Sequence, residues 1–341
     1  MPTPINISAS RGASILGLSK WSTPTETWLQ IMESREPGFC EKNNFLLPVF
    51  EDSAVLRWGK AFESAIIELA ELKSETGFNI ADRECFYEKG FLTCHIDGRY
   101  DGDNIGNYNI LHEGKTTNAY YFRDNFGEPG TDRVPVEYQI QCQHQMICTG
   151  AEKVILSVLV FPKRVDEFEA DGLEITGPDG HNYKIINDDL SINVYPLEWA
   201  RPLSEMGYFH QYEIPANPLL QSLMISSYTE FWNNHVIGKT PPPPQSYDDI
   251  RAIIREPVGT IIATEEIERL QSEYKNIKSE ISGTGSLAKR AEQIKVQLLD
   301  YMNKSDKVID DDSGDRFILR DRAGKKIGQY SKNKNGVLGF R

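Results

Sequence analysis

The sequence predicts a mixed α/β protein: a central mixed β-sheet flanked by helices, then a C-terminal extension of helices and a β-hairpin. Three observations carry this. Ser53–Lys73 sets Val55, Trp58, Phe62, Ile66 and Leu69 at three- and four-residue spacing, the period of an amphipathic helix. Apolar or β-branched segments at 83–88, 91–97, 107–115 and 153–161 read as strands. Between the last two lies a segment ending at Gly150 that reads as a helix, so strands and helices interleave.

The elements run in order along the chain. A helix near 10–17 precedes a loop closed by Pro24, a second helix over 24–33 and a loop over 37–50. After the strong helix and three strands, "GEPGTD" (127–132) is a turn. "EYQIQCQHQM" (137–146) then alternates glutamine at every second position, as a strand face would. That period is false. Pro135 stands where an N1 proline would, Glu137 falls in the first turn and Gly150 comes next as a C′ glycine, which are the marks of a helix. On that helix Tyr138, Gln141, Gln145 and Cys148 share one face, and Val136, Ile140, Gln143 and Ile147 another. Gln139 and Gln145 read as surface residues.

"KVILSVLVF" (153–161) is a buried strand, and 165–200 a β-rich insertion with a turn at 177–182. A helix near 216–237 ends before "GKTPPPP", a stiff linker. Ile267, Leu270, Tyr274, Ile277 and Ile281 keep a heptad-like pattern; "GTG" (283–285) breaks it, and Leu287, Ala291, Ile294 and Leu298 resume it as a helical hairpin. After "DDD" (310–312), "DRFILRDRAGKKIGQYS" alternates as a β-hairpin. The reading therefore divides the chain into a core over 1–245 and an extension over 246–341.

Composition bounds the function classes. At 39% hydrophobic and 26% charged residues, with no apolar run longer than "VILSVLVF", a soluble intracellular protein is expected, and no membrane partner. Five scattered cysteines without a CxxC pair exclude a disulfide framework, a structural zinc site and an iron–sulfur cluster. The net charge of −13 disfavours nucleic acid at first sight. It is uneven, however: Arg316–Arg341 carries eight Lys/Arg against Asp321 alone, a local +7 that leaves −20 on the rest.

Three short pieces carry chemistry. "WGKAFESAI" holds Glu63 on the strong helix, one turn after Gly59. "HIDGRYDG" places Asp97 at a strand end, with Asp101 competing for its role. "NILHEGKTT" places Glu113, Gly114 and Lys115 on the next strand. Glu113 and Lys115 stand two apart, so both project from one strand face. An acid at one strand end with Glu-x-Lys on the next strand is the D…(D/E)xK arrangement of metal-dependent nucleases. Asp97, Glu113 and the Gly114 carbonyl suit Mg²⁺, with Mn²⁺ as a substitute. Lys115 can orient and help deprotonate the attacking water and counter charge on the phosphorus. Glu63 adds a carboxylate.

The full order of helix glutamate, Asp97, Glu113-x-Lys115 and a glutamine-rich helix resembles the phage-lambda-type exonuclease family. These proteins are also called YqaJ-type viral recombinases, within the PD-(D/E)xK superfamily. The resemblance covers residues 5–165, and "EFWNNHVIGKTPPPP" (230–244) is similar to the family's segment C-terminal to that core. It implies a restriction-endonuclease-like core, with Asp97, Glu113, Gly114 and Glu63 at the metal and Lys115 as the catalytic lysine. A glutamine reaching into the site falls on Gln141, with Gln143 the alternative for the substrate phosphate. The resemblance places a 5′-phosphate contact at Ser10 in "ISAS"; the arginine the family has before this motif is absent, and Arg11 stands just after it. It further implies 5′→3′ digestion of double-stranded DNA ends in a bacterial host carrying a phage or prophage. A single-strand annealing protein would be the partner, and a homotrimeric ring the assembly. Another PD-(D/E)xK endonuclease and a catalytically silent DNA-binding protein are the competing readings.

Overall fold

The computed structural model describes residues 6–48, 53–73, 79–101, 109–179, 182–189, 191–253, 259–280, 285–305, 308–309, 316–332 and 338–340. The turn expected at 177–182 and the break at 283–285 fall partly outside these residues, and the acidic run 310–312 wholly. Two compact units are present. One comprises Asn6–Leu18 and Val49–Thr229; the other comprises Met1–Ile5, Ser19–Pro48 and Glu230–Arg341. The units interleave in sequence, whereas the sequence reading places a single cut at 245.

The first unit holds, in chain order, β1 (Ile7–Ser8), α1 (Ala54–Lys73), β2 (Asn79–Ala81), β3 (Cys85–Lys89), β4 (Leu92–Ile96), β5 (Gly98–Asp101) and β6 (Ile110–Asn118). Next come α2 (Val136–Thr149), β7 (Lys153–Phe161), β8 (Leu173–Asp179), β9 (Asn182–Asn187), β10 (Asn193–Val194), α3 (Pro196–Glu205), β11 (Phe209–Pro215) and α4 (Pro218–Phe231). The central sheet runs β11-β7-β6-β5-β2. It is mixed, as expected: β6 and β7 pair in parallel over nine residues, and the other neighbours are antiparallel. A second sheet runs β1-β4-β3, and the insertion forms β10-β9-β8. That insertion is less purely β than expected, since the helix Val165–Ala170 precedes it and α3 closes it.

Each face of the central sheet is covered, which is what a parallel pair at its centre requires. On one side α1 buries Trp58, Phe62, Ile66 and Leu69 against Leu159, Phe161 and the insertion's Phe168. Trp58 stacks on Phe168 at 5.3 Å and meets Trp199 edge-on at 5.5 Å, so the insertion's helices hold α1 down. Val55 leaves this stripe: it is 62% exposed. On the other side α2 packs Cys142 and Met146 over Ile96, Leu111, Val154, Leu156 and Val158. α2 begins after Pro135 as its N-cap and ends at Gly150, whose φ of 75° is the left-handed conformation glycine adopts without strain. The false strand period is resolved as a helix.

The second unit carries the helix Pro24–Arg35, opened by a reciprocal capping pair between Thr23 and Glu26. A π-helical turn, Trp232–Ile237, comes directly after α4 in the chain. A five-stranded sheet is then built from β12 (Gly259–Ile262), β13 (Val308–Ile309), β14 (Arg316–Arg320), β15 (Lys326–Lys332) and β16 (Leu338–Phe340). The helices α5 (Glu265–Glu280) and α6 (Ser286–Lys304) bury Leu270, Ile294 and Leu298 with Phe317, Leu319 and Tyr330. The expected hairpin is β14–β15; its parallel pairing with β12 comes from a strand the sequence reading did not assign. Among the described residues no helix is long and apolar enough to cross a membrane.

Candidate active site

Asp97 stands where the chain changes sheets. β4 pairs with β1 and β3 up to Ile96, and β5 joins the central sheet from Gly98. The crossing is tight: a Cβ on Gly98 would lie 2.1 Å from Ile80 Cγ2, so only glycine fits. The last β5–β6 rungs pair Arg99 with Leu111 and Gly98 with His112. Two residues further along β6, the Gly114 N–H donates to Asp97 Oδ2 at 2.7 Å. A side chain thus replaces the missing strand as acceptor and aims Asp97 at β6. Asp101 ends β5, and its side chain lies outside the described residues.

Glu113 and Lys115 project from the β6 face that α2 covers, as their spacing predicts. Glu113 is 2% exposed. Lys115 Nζ and Gln141 Nε2 both donate to its Oε1, and Gln145 Nε2 donates to Oε2 at 2.5 Å. Lys115 also lies over the Tyr138 ring, 5.8 Å from its centre. Gly114 faces the opposite layer, where a Cβ would come 3.1 Å from Ile66 Cγ2 on α1 and 3.5 Å from Asp97 Oδ2. On that side His112, fully buried, shares a 3.0 Å hydrogen bond with Ser157. Burial holds the imidazole down at about 3, so it is neutral.

The electrostatics result from burial and crowding. Loss of water, and then the Glu113 charge, push the Asp97 carboxyl up to about 7. Burial works against the Lys115 charge, but the carboxylates of Glu113 and Asp97 outweigh it and hold the ammonium above its ordinary value. Lys115 is therefore a fixed cation at neutral pH. Glu63 is exposed on α1 and, among the described residues, makes no hydrogen bond or ion pair. Its carboxyl is raised by loss of water; Lys115 lowers it and Glu113 raises it, which marks its proximity to both.

The glutamines divide differently from the sequence reading. Gln145, assigned to solvent, is fully buried on Glu113, and Gln139 is half-buried. Gln143, offered for a substrate phosphate, is 1% exposed and faces away: Nε2 donates to Pro215 O at 2.8 Å, and Oε1 accepts from Asn217 N and Gln221 Nε2. It ties α2 to the β11–α4 corner. Gln143→Leu should lower unfolding free energy by about 2 kcal/mol, the cost of stranding buried polar groups. Digestion per folded molecule should not change; an activity loss at unchanged stability would return Gln143 to the site. The signal for Gln145 and Tyr138 was their shared helix face with Gln141.

At the N-terminal edge, the turn Ala9–Arg11 packs through Ala9 into the cluster holding Ile96 and Cys142. Ser8 and Ser10 hydroxyls lie 3.1 Å apart, and Arg11 Nη1 donates to Ser8 Oγ at 3.3 Å.

The donor set is suited to a hard divalent cation, although no group of three His, Cys, Asp or Glu among the described residues is gathered round one point. A carboxylate has about four lone-pair positions. Three on Glu113 are taken, one remains on Oε2, and Asp97 keeps Oδ1 without a donor among the described residues. A cation between them would relieve two crowded carboxylates, one pushed up to about 7. Two protein carboxylates also match an ion that retains several waters.

The mixed sheet, the acid at a strand crossing and Glu-x-Lys on the adjoining strand are the arrangement expected of a PD-(D/E)xK-type α/β core. Residues 4–152 match the family model of the YqaJ-like viral recombinase domain. A relative from Bacillus subtilis (strain 168), the uncharacterized protein YqaJ, is 29% identical over 160 residues, 45% of this chain. The match spans 43% of that relative's length. Among solved structures, an alkaline exonuclease from Laribacter hongkongensis aligns at TM-score 0.42 and 15% identity, covering 68% of this chain and 89% of that one. A phage-related exonuclease from Haemophilus somnus 129PT aligns at 0.39 and 12%, covering 70% and 98%.

Proposed function

We propose that this chain is a metal-dependent deoxyribonuclease that digests linear double-stranded DNA from its 5′ ends, leaving 3′ single strands for phage-type recombination in a bacterial host. The observation that carries it is the convergence of Asp97, Glu113 and Lys115 on the middle of β6, where Gly114 N–H donates to Asp97 and Lys115 to Glu113. Asp97, Glu113 and the Gly114 carbonyl would hold Mg²⁺ or Mn²⁺, which when bound polarises a phosphoryl oxygen and acidifies water.

The residues then have distinct tasks. Lys115, held protonated by its two carboxylates, stabilises negative charge developing on the phosphoryl oxygens and orients the attacking water. Held in this way, it serves as a charge stabiliser and orienting donor rather than as a base. Gln141 holds Glu113 without adding charge. Glu63 contributes a carboxylate from the α1 side. Ser10 and Arg11 supply a hydroxyl and a guanidinium for a terminal phosphate. A strand-annealing protein and a homotrimeric assembly complete the reading from family resemblance.

Duplex DNA labelled at the 5′ or the 3′ end, with and without a 5′-phosphate, tests it in Mg²⁺. Mononucleotides should appear from the 5′ label first, and faster with the phosphate. Release from the 3′ label first would reverse the polarity, and cutting of covalently closed plasmid would make it an endonuclease.

A further inference from the structure

Building on the nuclease reading, we propose that Gln145 is a positioning residue that brackets the two carboxylates of the site into one rigid pair. Its side chain is fully buried. One amide nitrogen donates to Glu113 Oε2 at 2.5 Å and to the His95 carbonyl at 3.2 Å. His95 lies on β4, two residues before Asp97, and Glu113 lies on β6. These strands belong to different sheets, with no ladder between them. The carboxylate spacing is therefore set by side chains: Asp97 on Gly114 N from one end, and Gln145 spanning from Glu113 to the β4 backbone from the other.

The chemistry suits the task. A glutamate side chain has three rotatable bonds, and with Lys115 and Gln141 both on Oε1, the Oε2 oxygen is oriented by Gln145. An amide donor fixes that oxygen without a charge that would compete for a cation. Gln141 is half-buried, whereas Gln145 is fully buried between Glu113 and the β4 backbone.

The test is Mn²⁺ binding to the full chain by calorimetry, without DNA. Gln145→Met keeps the volume and removes the donor. Mn²⁺ affinity should fall about ten- to hundred-fold, the usual effect of losing an outer partner of a ligand. The Mn²⁺ concentration for half-maximal digestion should rise in step, with most of the rate recovered at saturation. A merely structural residue would lower the melting temperature and leave the Mn²⁺ requirement of the folded fraction unchanged. Gln145→Asn, with the amide one methylene short, serves if the Met variant does not fold. Wild-type Mn²⁺ affinity in either variant overturns the inference and leaves the nuclease reading standing. A parent chain that binds no Mn²⁺, or Glu113→Gln binding it as well as the parent, overturns the nuclease reading first.

Discussion

Lys115→Met is expected to reduce digestion of duplex ends by roughly 10²- to 10³-fold, the scale of losing one preorganised charge stabiliser. The reason is its fixed charge. Glu113 and Asp97 hold the ammonium protonated, and Tyr138 closes its other side, so the cation stands ready wherever phosphoryl charge develops. Methionine keeps the aliphatic stem and loses only the charge and the donors. Folding should survive, because Gln141 and Gln145 still hold Glu113. The variant should nevertheless be less stable at pH 8 than at pH 5: without the ammonium that lowers it, the Asp97 carboxyl stays raised by burial and Glu113, so stability falls as pH climbs above the ordinary carboxylate range. Digestion by end-labelled assay and thermal unfolding at both pH values check this. Digestion at the parent's rate would sink the assignment of Lys115.

Asp97→Asn is expected to abolish digestion and to stabilise the metal-free protein at pH 8. Asp97 titrates at about 7 in the folded chain, above the ordinary carboxylate value it has when unfolded. Between those values the folded state binds the proton that the unfolded state has released, so stability falls as pH rises through the window. Above pH 7 the whole penalty is present. Asparagine removes the charge and keeps an oxygen to accept from Gly114 N. Each tenfold in proton affinity is about 1.4 kcal/mol. Asp97 is only half-buried, and water screens part of the penalty, so a gain on the order of 2 kcal/mol is expected. Mg²⁺ should stabilise the parent at pH 8 and not the variant. Chemical denaturation at pH 5 and pH 8, with and without Mg²⁺, measures both; a variant less stable than the parent at pH 8 would refute the crowding of Asp97 and Glu113.

Local rules account for much of the fold that was legible in the sequence. The α1 stripe, the β6–β7 strands and the caps of α2 depend on residues within a few positions of one another, and their periods survive folding. Val55 shows the limit: it has the right spacing, but it stands on the first turn of α1 and is not covered by the core. β12 and its partner β13 were missed because four and two residues are too short to show a period, and their pairing joins segments far apart in the chain.

The site divides in the same way. Glu113 and Lys115 on one face is a consequence of strand geometry and was decided by two residues' spacing. Grouping Tyr138, Gln141 and Gln145 on one face of α2 was likewise a matter of helix period. Which of two helix faces meets Glu113 is not a local property. It depends on α2 lying over the sheet through Cys142 and Met146, and that packing turned Gln145 into a buried partner of Glu113 and Gln143 toward Pro215. Asp97's position was decided by a strand that changes sheets at Gly98, and Glu63 was left exposed because α1 covers the opposite layer from Glu113. Sequence alone determined the residue types and their local directions, since backbone periods set those. The tertiary structure decided which of them meet, because a buried charge finds its partners through packing between segments distant in the chain.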